Sequence, residues 1–256
     1  MVHTVPVFDT VSAAFKQVFA NMALVFKIGL IPIIAVIALN VVGVLVAQST
    51  GSQAISFVLN IAALIIMLFF VLAWHRVVLF GINSETSKIN FVFTPRANKF
   101  LGYYIGMLVA FGVAMAVGVA IAYGVGGFIG GLIGFIIFAA VFYVFTRLSL
   151  IFPAIAADHP ATLQTAWAQS SGIFLRMIAI NLLIGVAAVI ILFVIGFIIG
   201  LVLVLILGMS GAGLVIITIV SSIVTVPIEM VFVAVFAAAL SYVYRYVTEH
   251  PNPLDA

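Results

Sequence analysis

The stretch IAINLLIGVAAVIILFVIGFIIGLVLVLIL, residues 178–207, carries no charged side chain and one amide, Asn181. A bilayer hydrocarbon core about 30 Å thick is crossed by roughly 20 helical residues at 1.5 Å each, so this run is long enough to span with length to spare. It has none of the apolar/polar alternation of a membrane β-barrel strand. Backbone N–H and C=O groups find no water inside lipid, so an uninterrupted apolar run of this kind is an α-helix whose own ladder satisfies them.

Working outward, runs of the same character cover residues 24–47, 54–78, 101–123, 128–152, 175–207 and 214–246. The chain has 256 residues, of which 67% are hydrophobic and 6% charged. A soluble domain carries about 25% charged residues, so most of this surface must face lipid. The reading is all-α: a polytopic transmembrane helical bundle of six spans arranged as three hairpins, within one integral membrane domain covering residues 1–256.

The charges orient it. All nine Lys and Arg (Lys16, Lys27, Arg76, Lys88, Arg96, Lys99, Arg147, Arg176, Arg245) lie at alternate ends of the apolar runs. Lys and Arg are retained on the cytoplasmic side, which predicts cytoplasmic termini and cytoplasmic connections at 81–100 and 152–174. The turns at 48–53, 123–127 and 208–213 then face outward. A net charge of +3 gathered at one face reads as topology and as attraction to anionic headgroups, not as nucleic-acid binding. Without Cys there is no disulfide, thiolate metal site or thiol nucleophile. Residues 1–21 are too polar for a signal-peptide core. Leu45-Val46-Ala47 before Gln48 has the look of a cleavage site, but cleavage there would remove a helix that an internal repeat requires.

That repeat begins with two short amphipathic segments, expected as cytoplasmic interfacial helices at 9–22 and 162–174. In the first, Val11, Phe15, Val18, Phe19 and Met22 recur at helical spacing opposite Ser12, Lys16, Gln17 and Asn21. In the second, Leu163, Ala166, Trp167, Ser170 and Phe174 trace the matching stripe. Asp9 or Thr10, and Asp158 or Thr162, are the candidate N-caps. Each segment leads into a span from the same side, so the copies are parallel, an arrangement found in transporters. The second helix of each hairpin closes on aromatic residues and an Arg: Trp74-His75-Arg76, Phe145-Thr146-Arg147 and Tyr242-Val243-Tyr244-Arg245. Trp74, Trp167 and Tyr242 are therefore expected as interfacial anchors, and Arg76, Arg147 and Arg245 as snorkelling contacts to lipid headgroups.

Glu229 is the acidic residue set well inside an apolar run, and an ionisable group there is a candidate functional residue because charge in hydrocarbon costs about 3 kcal/mol. It lies about 24 Å along a helix from Arg245, nearer the outer face than the middle. Pro227 frees the carbonyl of Ile223, so a kink and a polar pocket are expected beside Glu229. Asn181, Asn60 and Asn40 are expected as interhelical hydrogen-bonding groups. Gly126, Gly130 and Gly134, Gly127 and Gly131, and Gly196 with Gly200 repeat a four-residue spacing that lets helices approach closely.

Soluble-enzyme chemistry has no foothold in these residues. His3, His75, His159 and His250 lack ligand spacing, and His75 beside Arg76 is the one histidine placed to act as an acid or a ligand. There is no serine-hydrolase elbow or phosphate-binding loop, and Gly124-x-Gly126-x-x-x-Gly130 follows no strand. No catalytic residue, cofactor or metal is expected.

Arg147-Leu148-Ser149-Leu150-Ile151-Phe152-Pro153-Ala154-Ile155-Ala156, then Ala166-Trp167 through Gly172-x-Phe174-x-Arg176, and finally Pro227 with Tyr242-x-x-Arg245, resemble uncharacterised bacterial six-span inner-membrane proteins similar to the membrane domain of some glycerophosphodiester phosphodiesterases. The resemblance covers the second half of the chain. It implies an integral inner-membrane protein concerned with lipid or small-solute handling. It brings no catalytic residue, because the phosphodiesterase activity belongs to a separate barrel domain. The expected function is thus non-enzymatic binding of membrane lipids, of a membrane-protein partner or of a second copy of the chain. The alternative is a small-solute or lipid transporter using Glu229.

Overall fold

The structure is a computed structural model that describes residues 5–51, 53–83, 85–86, 88–89, 91–208 and 211–250. Its described residues form α1 (Val7–Ala20), α2 (Met22–Thr50), α3 (Gln53–Phe80), α4 (Pro95–Val125), α5 (Gly127–Leu148), α6 (Ile151–Ala156), α7 (Leu163–Gln169), α8 (Phe174–Leu207) and α9 (Gly211–Glu249), with no strand among them. Six stretches are long and apolar enough to cross a membrane: Met22–Thr50, Ala54–Phe80, Pro95–Val125, Gly127–Ala156, Phe174–Leu207 and Ala212–Glu249. The chain is an all-α, multi-pass membrane protein. Part of the turns expected at 48–53 and 208–213, and His3, lie outside the described residues.

The chain divides into two compact units, one of Met1–Val7, Val92–Ala179 and Val243–Ala256, the other of Phe8–Phe91 and Ile180–Tyr242. In the second unit α2 packs along α3 as an antiparallel pair. Gly51 closes α2 in the left-handed region at φ 67°, its N–H bonded to Ala47 O, which a residue with a Cβ would adopt at a cost. Against α2 lies α9, where Gly29 faces the buried Met230 so closely that a Cβ on Gly29 would lie 2.2 Å from the sulfur. Pro32 and Pro227 are each accommodated inside a continuous helix. The core of this unit is a column of Leu68, Phe70, Trp74, Met230, Val235 and Ala238.

In the first unit α4 and α5 form the hairpin. Thr94 caps α4 by accepting from Ala97 N at 3.2 Å, and Pro95 occupies the first turn, where a missing N–H removes no bond. The helix therefore starts ahead of the expected residue 101, drawing Arg96 and Lys99 into its first turn. Gly130 crosses α4 so tightly that a Cβ would stand 2.2 Å from Ala122 O, and Gly118 meets Ile137 in the same way at 2.7 Å. The expected glycine packing is thus seen at Gly130, while Gly127, Gly131, Gly196 and Gly200 have open space where a Cβ would sit.

Two expected boundaries move. The span expected over 128–152 lies within Gly127–Ala156, but its helix is interrupted after Leu148, and α6 follows with all six of its residues buried. Pro153 explains this, since it has no N–H for the carbonyl of Ser149 and is tolerated only near the start of a new helix. The segment expected as one helix over 162–174 is the seven-residue α7, closed at its start by a Thr162–Thr165 capping box. Gly172, at φ 75°, turns the chain before α8 begins.

Segment α1 buries Thr10, Ala14 and Val18. Phe15 stacks on Phe19 and meets Phe232 of α9 edge-on at 6.4 Å, while Phe8 and Phe19 are exposed. The buried stripe is therefore rotated from the expected one, because small side chains let α1 settle closer than a row of phenylalanines would.

Candidate functional site

Polar side chains in this protein gather at three places, and each follows from what an apolar environment demands of polar groups. The first is Arg147, in the last turn of α5, where the helix dipole favours a cation. Its side chain is 8% exposed. Nε donates to Ser170 Oγ at 3.0 Å, Nη1 to Tyr143 Oη at 3.0 Å and Nη2 to the Trp167 carbonyl at 2.5 Å. The guanidinium lies 3.9 Å over the Trp167 ring, and Tyr143 meets Trp167 and Phe174 edge-on. A cation held by neutral acceptors and π faces thereby binds α7 to α5. Nearby in the same unit, Arg96 and Asp158 form a bidentate ion pair, His159 Nδ1 lies 2.7 Å from Tyr244 Oη, and Arg176 donates to Val5 O.

The other two arginines are engaged separately. Arg76 sits over the Phe80 ring at 5.1 Å, and Arg245 pairs with Glu249 one turn on at 3.6 Å. Tyr242 is half-buried and Trp167 partly exposed, but Trp74 is 0% exposed. Trp74 is a core residue stacked on Phe70, and among the described residues its Nε1 has no hydrogen-bond partner. The expectation of an interfacial ring there gives way because its position in the helical register points it inward. Its neighbour His75 is also fully buried. His75 Nδ1 is 2.7 Å from Ser241 Oγ, and that hydroxyl donates to Ala237 O, so His75 ties α3 to α9.

Glu229 forms the second place. The side chain is exposed on the flank of α9, and among the described residues it makes no hydrogen bond or ion pair. Asn181 is half-buried on α8, also without a hydrogen bond there.

The third is a cavity of about 320 Å³ in the second unit, between the end of α2 and the starts of α3 and α9. Asn40, Ser56, Asn60, Thr218 and Ser222 supply its polar lining, and Leu39, Gly43, Val44 and Ala47 the rest. Neither Glu229 nor Asn181 is part of this lining, so the expected pocket beside Glu229 is not the one formed here. Sequence reading expected Asn40 and Asn60 as interhelical hydrogen-bonding groups, not as a pocket lining, and passed over Ser56, Thr218 and Ser222. The available signal was spacing: Ser56 with Asn60, and Thr218 with Ser222, each repeat at i, i+4 near a helix start, which puts both on one face.

Compared with protein-family profiles, curated proteins and solved structures, the chain matches none.

Proposed function

We propose that this multi-pass membrane protein resides in a bacterial inner membrane with both termini cytoplasmic, performs no chemistry of its own, and binds a membrane-protein partner or a lipid. Glu229 carries the reading. It is exposed within a membrane span, as the one charged side chain between residues 212 and 244, and has no partner among the described residues. A carboxyl group left against acyl chains costs about 3 kcal/mol, so a polar group from another molecule is the economical cover for it. The outer half of α8 agrees: Met177, Ile180, Ile184 and Ala188 are buried, and residues 189–207 include none that is. Arg76 and Arg245 near helix ends are the candidate contacts to anionic headgroups, whereas Arg147, expected as a third, is buried and engaged by Ser170, Tyr143 and Trp167.

The test is extraction into native lipid discs followed by mass spectrometry of whatever remains bound in stoichiometric amount. Wild type is expected to retain one partner or lipid, and Glu229→Leu to retain about tenfold less, the equivalent of about 1.4 kcal/mol. Equal retention by both would overturn the proposal. Pro227, two residues before Glu229, favours transport as the second reading. That reading predicts no retained species and a solute flux that Glu229→Leu abolishes.

A further inference from the structure

The cavity between α2, α3 and α9 has a chemical character that narrows what it holds. Its polar lining is wholly uncharged: two amides and three hydroxyls. The Ser56 hydroxyl donates to Gly43 O at 3.0 Å and the Thr218 hydroxyl to Leu214 O at 2.9 Å, so both have spent their proton and keep lone pairs for accepting. Among the described residues the side chains of Asn40, Asn60 and Ser222 make no hydrogen bond, and Ser222 is buried. Each Asn therefore brings two N–H donors and a carbonyl acceptor to the space, and Ser222 one hydroxyl of either sense. An ion would find no counter-charge, and a hydrocarbon chain alone would leave these groups unsatisfied. The complement is an uncharged molecule dense in oxygens that both donate and accept.

Depth adds to this. The 29 residues of α2 reach about 43 Å, longer than a hydrocarbon core of about 30 Å, so its ends enter the headgroup layer. Ala47 and Ser56 lie about 5 Å below the helix ends, at the level of lipid ester groups, and Asn40 and Ser222 about 15 Å below, inside the hydrocarbon. Leu39, Val44 and Ala47 give the cavity an apolar wall along the same line. A volume of about 320 Å³ lies at the small end of ligand sites.

The geometry points to a binding site for the uncharged oxygens of a glycerol backbone, supplied either by the glycerol-ester region of a membrane lipid or by free glycerol. The Asn60 amide, between the two levels, donates to ester or hydroxyl oxygens, Ser56 and Thr218 accept from a free hydroxyl, and Asn40 and Ser222 meet oxygens that reach below the ester level. The inference deepens the lipid branch of the binding reading but stands on other residues than Glu229.

The full chain in phosphatidylcholine nanodiscs doped with a diazirine-bearing diacylglycerol is irradiated and the labelled peptides are mapped. Labelling is expected to concentrate at 39–47, 56–60 and 218–222, and to fall at least fivefold in Asn40→Leu and in the nearly isosteric pair Thr218→Val with Ser222→Ala. The milder pair covers the case in which Asn40→Leu does not fold, and elution as a single monodisperse species qualifies each variant. Persistence of the label with glycerol in large excess assigns the lipid as the source, whereas its displacement by glycerol assigns the free polyol. Labelling spread evenly over the lipid-facing helices, or unchanged in the folded variants, would overturn the site. Retention in the Glu229→Leu discs is read separately, so either proposal can fail with the other standing.

Discussion

His75 and Ser241, far apart in sequence, meet in the interior of one unit with Nδ1 2.7 Å from Oγ, neither side chain more than 1% exposed. Because the Ser241 hydroxyl also donates to Ala237 O, it accepts from His75 Nδ1–H and thereby favours that tautomer. Ser241→Ala leaves a buried donor unpaired and is expected to destabilise by about 1–3 kcal/mol. The double variant His75→Leu/Ser241→Ala, with both partners apolar, should recover part of that loss. Thermal unfolding of the four proteins in one detergent checks this; additive losses would show that the bond has no coupling energy.

The Arg147 site requires a planar guanidinium, since one side chain serves three acceptors and a ring face at once. Arg147→Lys keeps the charge and is still expected to loosen α7. The chain has two tryptophans, and the Trp74 indole makes no hydrogen bond among the described residues, so in a Trp74→Phe background Trp167 is the sole indole reporter. Acrylamide quenching of Trp167 should increase at least twofold in Arg147→Lys; unchanged quenching counts against the packed arrangement.

Three glycines should respond differently to one added methyl. Gly130→Ala meets the Ala122 carbonyl of the backbone and is expected to cost about 1–3 kcal/mol. Gly29→Ala meets the sulfur of Met230, a side chain that can be shortened, so Met230→Ala should rescue it. Gly131→Ala has open space and, as a helix interior position, is expected to be neutral or to stabilise by about 1 kcal/mol. Unfolding midpoints rank the set, and equal effects at Gly130 and Gly131 would contradict the hairpin contact.

The proposed orientation is open to direct labelling because the chain has no Cys. Ser49→Cys, beside the α2–α3 turn, is expected to react with a membrane-impermeant maleimide in intact spheroplasts. Asn98→Cys, in the first turns of α4, should react only after they are opened. The reverse pattern would invert the topology.

Much of the architecture was legible because lipid imposes a simple rule. Residues 178–207 have no partner for their backbone except their own helix, and that holds wherever the neighbours lie. The helix boundaries were less legible: the first span, expected to stop at 47, runs to Thr50 and is capped by Gly51. They were missed at Thr94-Pro95, where a cap and a first-turn proline extend α4 through charged residues, and at Pro153, where one apolar run conceals two helices.

The candidate sites divide along the same line. From the sequence alone, the uncharged runs and the distribution of Lys and Arg determine that the chain is helical and membrane-spanning and set its expected orientation, because solvation acts on each segment independently. Only the tertiary structure decided that Trp74 faces the core, that Arg147 is held by Ser170, Tyr143 and Trp167, that Glu229 stands uncovered, and that five uncharged polar groups from three helices line one cavity. Those outcomes depend on how each helix rotates about its axis against its neighbours. In a helix apolar on every side, the hydrophobic pattern that would set that rotation is absent, and the fit of small and polar side chains at the contacts determines it instead.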